Sequence, residues 1–284
     1  MKRILTIQDI SCVGRCSLTV ALPIISAAGV EAAILPTAVL STHTAFPAFT
    51  FKDLTDDIEP ITETFKELKL DFDAVYTGYL GSKKQLELVA DVFEDFKVGT
   101  DKKPTLKIVD PVMADNGKFY KGFDQAFAND MAKLCDRADL ILPNLTEAAF
   151  LLDTEYTAEP TEEKIKEMLK KLTANGTRAA AFTGISFKKN EIGFYLYDSN
   201  TDSFSSYFNE KLPVSYHGTG DIFASAATGA IMRGLDLHSA LCVATDFTKN
   251  CIQRTLEDEE RRFYGVNFES ELAELPKLIA DRAN

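Results

Sequence analysis

Apolar residues recur along this chain in short runs that alternate with longer amphipathic stretches. The short runs, rich in Ile, Leu, Val and Ala, predict buried strands at residues 3–8, 32–37, 74–77, 106–109, 139–142 and 178–182. The longer stretches predict helices near 17–28, 56–69, 82–96, 161–174, 236–254 and 268–282. Strands that alternate with helices through short links are typical of parallel sheets. The pattern therefore predicts an α/β fold with a mostly parallel sheet.

Two segments depart from this alternation. Residues 191–209 contain two strand-like runs around a turn at 198–200, which predicts an antiparallel hairpin at one edge of the sheet. Residues 114–122 are polar and bounded by glycine, which predicts a loop. A length of 284 residues permits two domains. Because single α/β layers of this size are common, we expect a single domain over residues 1–284, with a small appendage.

The net charge, the apolar runs and the cysteine spacing argue against several classes of protein. A net charge of −12 argues against a nucleic-acid-binding protein, and it requires that an anionic substrate be met by local donors or a metal ion. No apolar run approaches the roughly 20 residues needed to cross a bilayer, and residues 1–7 indicate a first strand and not a signal peptide. The five cysteines lack paired metal-binding spacing. We therefore expect a reduced, cytoplasmic protein with no membrane partner.

The most informative stretch is residues 217–221, His-Gly-Thr-Gly-Asp, followed by small and apolar residues that predict a buried helix. Gly218 and Gly220 permit backbone angles closed to other residues and let a ligand approach the main chain. The N–H groups of the first helical turn could then hold a phosphate or a developing negative charge. Asp221 could accept a proton from an attacking hydroxyl. The alternative is that Thr219 or Asp221 only caps the helix.

Polar residues also follow the first three predicted strands. Ligands of parallel α/β sheets bind beyond the carboxyl ends of strands, so Asp9, Ser11 and residues 41–44 are pocket candidates. Taken alone, His43 is better explained as a loop histidine with local hydrogen bonds than as a pocket residue. Tyr79 lies between two glycines, where it could stack on a flat ring or pack on its own loop.

Carboxylates follow the next two strands. Asp110 closes an apolar strand, which suits a hydrated Mg²⁺ because this ion takes few protein oxygens and keeps water ligands. Asn144 and Glu147 follow the next strand, so two carboxylates could converge at this edge of the sheet. The three-residue spacing of Asn144 and Glu147 also matches a capping box, a purely structural alternative.

Five of these motifs occur together in a known family. They are LSTHT at 40–44, TGYLGS at 77–82, DPVM at 110–113, PNLTE at 143–147 and HGTGD at 217–221. On these motifs, over nearly its whole length, the chain resembles the ribokinase-like vitamin kinases, and specifically the pyridoxal/pyridoxamine kinases. The resemblance implies a three-layer α/β/α fold with a mostly parallel central sheet and a small antiparallel edge hairpin.

The resemblance also implies an activity and a set of site residues. The activity is phosphoryl transfer from ATP to the 5′-hydroxyl of a B6 vitamer (pyridoxamine, pyridoxal or pyridoxine), giving the 5′-phosphate in pyridoxal phosphate salvage. The general base falls on Asp221, and the anion hole for the γ-phosphate falls on Gly218, Thr219 and Gly220. The nucleotide region falls on Asp110, Asn144, Glu147, Thr183 and Gly184, with Mg²⁺ at Asp110 and Glu147. The ring pocket falls on Asp9, Ser11, His43, Thr44 and Tyr79.

Some positions depart from the family pattern. Members often carry Ser where this chain has Asp9, in a segment one residue longer, and some carry Lys where Thr183 stands. Hydroxymethylpyrimidine kinases usually have Cys in place of Asp221, which favours a B6 vitamer here. A hydroxymethylpyrimidine or sugar kinase is the enzymatic alternative, although the double-glycine motif of sugar kinases is missing. A catalytically silent B6 or nucleotide sensor is the non-enzymatic one. The resemblance implies a homodimer and leaves open whether a monovalent cation such as K⁺ assists.

Overall fold

The computed structural model describes residues 1–283, which contain eleven strands and nine α-helices. The strands are β1 (Arg3–Ser11), β2 (Glu31–Leu40), β3 (Phe51–Asp53), β4 (Ala74–Thr77), β5 (Leu106–Val109), β6 (Ala114–Asp115), β7 (Lys118–Phe119), β8 (Leu140–Ile141), β9 (Ala179–Ile185), β10 (Glu191–Asp198) and β11 (Ser203–Glu210). The helices are α1 (Leu18–Ala27), α2 (Thr55–Glu67), α3 (Lys83–Asp95), α4 (Gln125–Cys135), α5 (Leu145–Leu151), α6 (Glu162–Leu172), α7 (Thr219–Met232), α8 (Leu237–Glu257) and α9 (Leu275–Arg282).

Nine of the strands form one sheet in the order β11-β10-β9-β8-β5-β4-β1-β2-β3. β1 pairs with β2 in parallel, and β5, β8 and β9 are successive parallel neighbours. β10 is antiparallel to both β9 and β11, and β3 is antiparallel to β2. The predicted mostly parallel sheet with an antiparallel hairpin at one edge is therefore confirmed.

Several helices begin where the sequence supplies a capping side chain. A side-chain oxygen at the residue before the helix accepts a backbone N–H of the first turn, which satisfies one of the free donors there. This arrangement occurs at Ser82 before α3, Asp124 before α4, Thr161 before α6 and Asp236 before α8. The cap predicted at Ser82 is thus confirmed.

The chain forms two compact units, each assembled from separate segments. The first comprises Met1–Tyr76, Val98–Thr105 and the chain from Leu212 onward. Its core contains β1 and β2 together with α1, α7 and α8, and Ile4, Leu5 and Ile7 of β1 are fully buried. The second unit comprises Thr77–Lys97 and Leu106–Lys211. In it the paired strands β5, β8 and β9 lie in the core with α4, α5 and α6 packed nearby. A single domain over residues 1–284 stays a prediction.

Three local predictions were incomplete or wrong. The loop predicted at 114–122 contains the β6–β7 hairpin, because Asn116 and Gly117 adopt positive φ angles of 52° and 74° that a two-residue turn requires. Helix α4 was not predicted, although its capping Asp124 was a sequence signal. The predicted helix 268–282 is instead a 3-10 turn (Glu269–Glu271) followed by α9, because a proline occupies the first turn of α9 and cannot continue a preceding helix.

Within residues 1–283, none of the helices combines the length and the hydropathy needed to span a membrane. All five cysteines are free thiols.

Candidate active site

The first helical turn of α7 lies at the centre of the motif at 217–221. The residue before the helix is Gly218, whose φ of 81° is left-handed, and no side chain caps this helix. A Cβ on Gly218 would lie 2.0 Å from the carbonyl oxygen of Arg15, so only glycine fits. Gly220 is exposed, and a Cβ there would meet nothing within 4 Å. The alternative that Thr219 or Asp221 caps α7 is therefore wrong. The space beside Gly220 in this turn is open.

Asp221 is held by the loop that precedes α1. The backbone N–H of Ser17 donates a hydrogen bond to its carboxyl group, which favours the ionised form. Burial and the nearby charge of Asp9 act in the opposite direction. The residue keeps some exposed surface, but its carboxyl group is surrounded by protein, and burial as the largest effect raises the pKa of Asp221 to about 7. A carboxyl group with this pKa can exchange a proton near neutral pH.

Asp9 and Ser11 belong to the same cluster as Asp221. Both residues lie on β1, and they are 5% and 1% exposed. The hydroxyls of Ser17 and Ser11 donate hydrogen bonds to the Asp9 carboxyl, while burial outweighs these bonds and raises its pKa. Cys16 lies next to both carboxylates, and burial followed by the charges of Asp221 and Asp9 raises the pKa of its thiol. The cysteine is therefore a neutral neighbour of the two acids.

His43 follows β2 and faces the glycine motif. Its ring centroid lies 5.2 Å from that of His217. Burial, followed by the charge of His217, lowers the pKa of His43, so its ring is neutral at pH 7. Its Nδ1 accepts the N–H of Ala45 at 3.1 Å, which places the remaining proton on Nε2. The histidine thus has the predicted loop hydrogen bond and also lies near the motif. The neighbouring Thr44 is exposed.

In the second unit, Asp110 and the pair Asn144 and Glu147 follow adjacent parallel strands, β5 and β8. Asn144 Oδ1 accepts the N–H groups of Thr146 and Glu147 at 2.8 and 2.9 Å. Glu147 Oε2 accepts the N–H of Asn144 at 2.9 Å, which completes a capping box at the start of α5. The structural alternative for this motif is therefore confirmed.

The Glu147 carboxylate does more than close the capping box. Its Oε1 accepts the N–H of Met113 at 3.2 Å, and the residue is only 4% exposed. Burial raises the pKa of Glu147, opposed by backbone N–H groups that include that of Ala114. Asp110 is also buried, and its N–H donates to the carbonyl of Thr77 at 2.9 Å. Among residues 1–283, no group of three or more His, Cys, Asp or Glu side chains could hold a metal ion.

Three further predicted residues lie in the second unit. Tyr79 is partly exposed, and its ring centroid lies 5.6 Å from that of Phe123. Thr183 lies within β9, and its N–H donates to the carbonyl of Pro143 at 3.1 Å, next to the 143–147 motif. Gly184 has a φ of 70° at an irregularity in the β9–β10 pairing, where β10 pairs with the residues on either side of it. Both Thr183 and Gly184 lie inside a strand, whereas the sequence indicated a strand end before them.

Sequence reasoning missed the loop at residues 14–17 as part of the Asp221 cluster. Ser17 precedes α1 with a φ of 50°, an uncommon conformation for a residue with a side chain. A serine before an apolar helix is an ordinary capping signal, so nothing in its sequence context pointed to a partner about 200 residues away. Its carbonyl accepts N–H groups of α1, while its hydroxyl bonds to Asp9 and its N–H to Asp221.

Comparison with known proteins agrees with this arrangement. A candidate phosphomethylpyrimidine kinase from Bacteroides thetaiotaomicron, crystallised with pyridoxal, is 39% identical, with a TM-score of 0.90 over 96% of this chain and 95% of that one. Pyridoxal kinase from Lactobacillus plantarum is 30% identical, with a TM-score of 0.89 over 98% of each chain. The hydroxymethylpyrimidine/phosphomethylpyrimidine kinase of Bacillus subtilis is 28% identical over 76% of this chain and 74% of its own length.

The five motifs at 40–44, 77–82, 110–113, 143–147 and 217–221 all lie within the range that a family model matches. The family model of phosphomethylpyrimidine kinase matches residues 22–264. The chain therefore belongs to the phosphomethylpyrimidine kinase family and is a phosphotransferase with the ribokinase-like fold.

Proposed function

We propose that this chain transfers the γ-phosphoryl group of ATP to the 5′-hydroxyl of a B6 vitamer, namely pyridoxal, pyridoxamine or pyridoxine. The observation that carries the proposal is the carboxyl group of Asp221, with a pKa raised to about 7, beside a helix start that no side chain caps. A base that titrates near neutral pH can take the proton of the hydroxyl, and backbone N–H groups can stabilise the charge of the transferred phosphoryl group.

In this reaction Asp221 accepts the proton of the 5′-hydroxyl while the oxygen attacks the γ-phosphorus. A new P–O bond forms as the bond between the γ-phosphorus and the bridging oxygen of ADP breaks, so the products are the 5′-phosphate and ADP. The backbone of Gly218, Thr219 and Gly220 stabilises the negative charge on the transferred group. Catalysis of this kind depends mainly on positioning and charge stabilisation.

The residues proposed to hold Mg²⁺ are Asp110 and Glu147. Their oxygen donors suit this ion, which binds through one or two carboxylates and keeps waters and phosphate oxygens as its other ligands. Glu147 can contribute only the lone pairs that its backbone hydrogen bonds leave free. The ion would neutralise charge on the nucleotide phosphates. Asn144, Thr183 and Gly184 complete the proposed nucleotide region.

The residues proposed to bind the ring are Asp9, Ser11, His43 and Thr44 in the first unit and Tyr79 in the second. The neutral His43 and the buried Asp9 offer polar groups to a substituted pyridine, and Tyr79 offers an aromatic face. The presence of pyridoxal in the Bacteroides crystal and the activity named for the Lactobacillus relative support a B6 vitamer.

Purified protein incubated with ATP, Mg²⁺ and each of the three vitamers tests the proposal directly. We expect the corresponding 5′-phosphate and one equivalent of ADP, measured by chromatography. Absence of phosphorylated product from all three vitamers at high enzyme concentration would contradict the proposed substrate class.

Hydroxymethylpyrimidine is the second candidate substrate. The family description and the Bacillus subtilis relative favour it. Because specificity is a ratio of kcat/KM values, the same assay with hydroxymethylpyrimidine and the three vitamers decides between the candidates. We expect the largest kcat/KM for a vitamer.

We also propose that the enzyme works as a homodimer in the cytoplasm. The dimer is an inference from family resemblance, and the five free thiols are compatible with a reducing compartment. Light scattering coupled to size exclusion measures the mass, and a monomer at micromolar concentration would contradict the dimer.

A further inference from the structure

The loop at residues 14–17 contacts Asp221 through Ser17. Ser17 donates its backbone N–H to the Asp221 carboxyl and its hydroxyl to Asp9. It does so with a φ of 50°, a conformation that persists in a residue with a side chain only where the surroundings enforce it. Something must therefore hold this loop in place.

Two glycines allow other parts of the first unit to approach Arg15 closely. A Cβ on Gly218 would lie 2.0 Å from the carbonyl oxygen of Arg15. A Cβ on Gly265 would lie 2.4 Å from the Cβ of Arg15. The Arg15 backbone is thus packed between the turn that precedes α7 and the segment that follows α8. A displacement of the Arg15 backbone would therefore displace Gly218 as well.

The Arg15 side chain is anchored to that C-terminal segment. Its Nε donates to Glu269 Oε1 at 2.9 Å, and its Nη1 donates to Asn267 Oδ1. Asn267 is fixed in turn, because its N–H donates to Thr255 Oγ1 at 2.8 Å and its Nδ2 donates to Asp258 Oδ2 at 2.7 Å. The guanidinium therefore joins the loop to the end of α8 through an ordered set of hydrogen bonds.

We propose that Arg15 is a positioning residue that holds Ser17 and the Gly218 turn in register with Asp221. The inference rests on the proposed role of Asp221 as the base. Arg15 itself bonds to Asn267 and Glu269 and acts on the reaction through the Ser17 N–H and the Gly218 contact. The segment that contains Asn267 and Glu269 thereby becomes a support of the catalytic turn.

A matched control lies in the same C-terminal region. Arg254 donates its Nε to Glu271 Oε1 at 2.8 Å and its Nη1 to Glu257 Oε2 at 3.3 Å. Arg254→Gln removes the same charge and the same kind of ion pair as Arg15→Gln. Its bonds are to α8 and to the 3-10 turn, so it measures the cost of a lost ion pair without displacing Ser17.

The experiment compares kcat, the KM for ATP and the pH profile of the full-length enzyme with those of Arg15→Gln, Arg15→Lys and Arg254→Gln. A 1 Å misplacement can cost about 100-fold in rate, so we expect Arg15→Gln to lower kcat by roughly 10- to 100-fold with little change in KM for ATP. We expect Arg15→Lys to recover part of this loss and Arg254→Gln to keep the wild-type kcat.

The pH profile separates positioning from general destabilisation. The groups that interact with the Asp221 carboxyl are Asp9 of β1 and Cys16 and Ser17 of the loop. Because the Ser17 N–H lowers the pKa of Asp221, its displacement in Arg15→Gln should move the acidic limb of activity to higher pH. Equal kcat and equal pH midpoints in Arg15→Gln and Arg254→Gln would overturn the proposal.

A double variant shows whether Arg15 acts through Asp221. We expect Arg15→Gln to lower kcat by a smaller factor in an Asp221→Asn background than in the wild type, whereas the same factor in both backgrounds would contradict the inference. If Asp221→Asn alone keeps the wild-type kcat, Asp221 is not the base, and the proposed positioning role of Arg15 is wrong as well. Should Arg15→Gln not fold, Glu269→Ala and Asn267→Ala each remove one acceptor of the Arg15 guanidinium. Unchanged kcat and pH midpoint in both variants would also overturn the proposal.

Discussion

Two helices of this protein begin in the sequence motifs that the family shares, and they begin in opposite ways. Helix α5 is closed by a complete capping box between Asn144 and Glu147. Helix α7 starts at the left-handed Gly218 with no side-chain cap. The N–H groups of a helix start attract negative charge in either case. In α5 that capacity is used by the side chain of Asn144, whereas in α7 no side chain uses it.

The carboxylates beside the two helices also differ in the number of backbone N–H groups that they accept. The Glu147 carboxylate accepts backbone N–H groups from Asn144, Met113 and Ala114, so its oxygens mainly organise the chain. Asp221 accepts one backbone N–H, that of Ser17, and has a pKa of about 7. The comparison supports the proposal that Asp221 accepts the proton, whereas backbone hydrogen bonds leave Glu147 few free lone pairs for a metal ion.

The largest expected effect is a loss of kcat on substitution of Asp221, the carboxylate beside α7. Asp221→Asn keeps the shape and the acceptor for the Ser17 N–H but removes the proton acceptor. We expect kcat to fall by about 10²- to 10⁴-fold, the usual contribution of a general base, with little change in thermal stability. Steady-state kinetics and thermal unfolding measure the two quantities.

Asp236→Asn is the matched control for this variant. Asp236 caps α8, and asparagine caps helices equally well, so this change should leave both kcat and stability near wild type. A loss of kcat in Asp236→Asn comparable to that in Asp221→Asn would show that removal of a carboxylate near any helix start is enough.

The next effect concerns the glycines of the α7 turn. In Gly218→Ala the new Cβ would clash with the Arg15 carbonyl and occupy a left-handed conformation, so we expect a loss of about 1–3 kcal/mol in the free energy of unfolding. In Gly220→Ala the Cβ meets nothing within 4 Å, so stability should stay near wild type. Chemical denaturation distinguishes the two, and equal stabilities would contradict the geometry of this turn.

A smaller effect is expected at the capped helix. Asn144→Ala removes the acceptor for the N–H groups of Thr146 and Glu147, and loss of such a cap costs about 1 kcal/mol. For a chain of this size that corresponds to a fall in Tm of about 2–4 °C. Differential scanning calorimetry measures it, and an unchanged Tm would show that the capping box is dispensable.

The pattern of strands and helices could be predicted because hydrophobic periodicity is a local property of the sequence. The parallel strands and the edge hairpin were predicted in this way. Helix α4 was missed although Asp124 and the buried Phe127 and Met131 follow a helical spacing, so that signal was available. The split before α9 follows from one proline in a charged segment.

The candidate site was only partly predictable for a different reason. The motif residues lie at strand ends and at helix starts, where topology places them together, so Asp9 and Asp221 could be proposed from position alone. The partners Arg15 and Ser17 could not, because their contacts join segments about 200 or more residues apart. A serine and an arginine in a short loop have no periodic signature that predicts such contacts.

The smallest expected effect is a shift in the pKa of Asp221 when the charge of Asp9 is removed. The negative charge of Asp9 raises the pKa of Asp221, so Asp9→Asn should lower it. In the wild type, log kcat/KM for pyridoxine should rise with pH through an apparent pKa near 7, because Asp221 must be ionised to accept a proton. In Asp9→Asn this rise should occur at lower pH, even if KM increases through loss of a ring-pocket group.

Asp73→Asn is the control for the pH profile. Asp73 is another buried carboxylate of the first unit. Its environment is different: the N–H of Arg3, the hydroxyl of Thr100 and the ammonium of Lys2 hold its pKa below the ordinary value against the effect of burial. Since folding favours its ionised form, this variant should lose stability mainly above the unfolded-state pKa and leave the pH midpoint of kcat/KM unchanged. An equal shift of the midpoint in both variants would mean that net charge, and not the nearby Asp9, sets the pKa of Asp221.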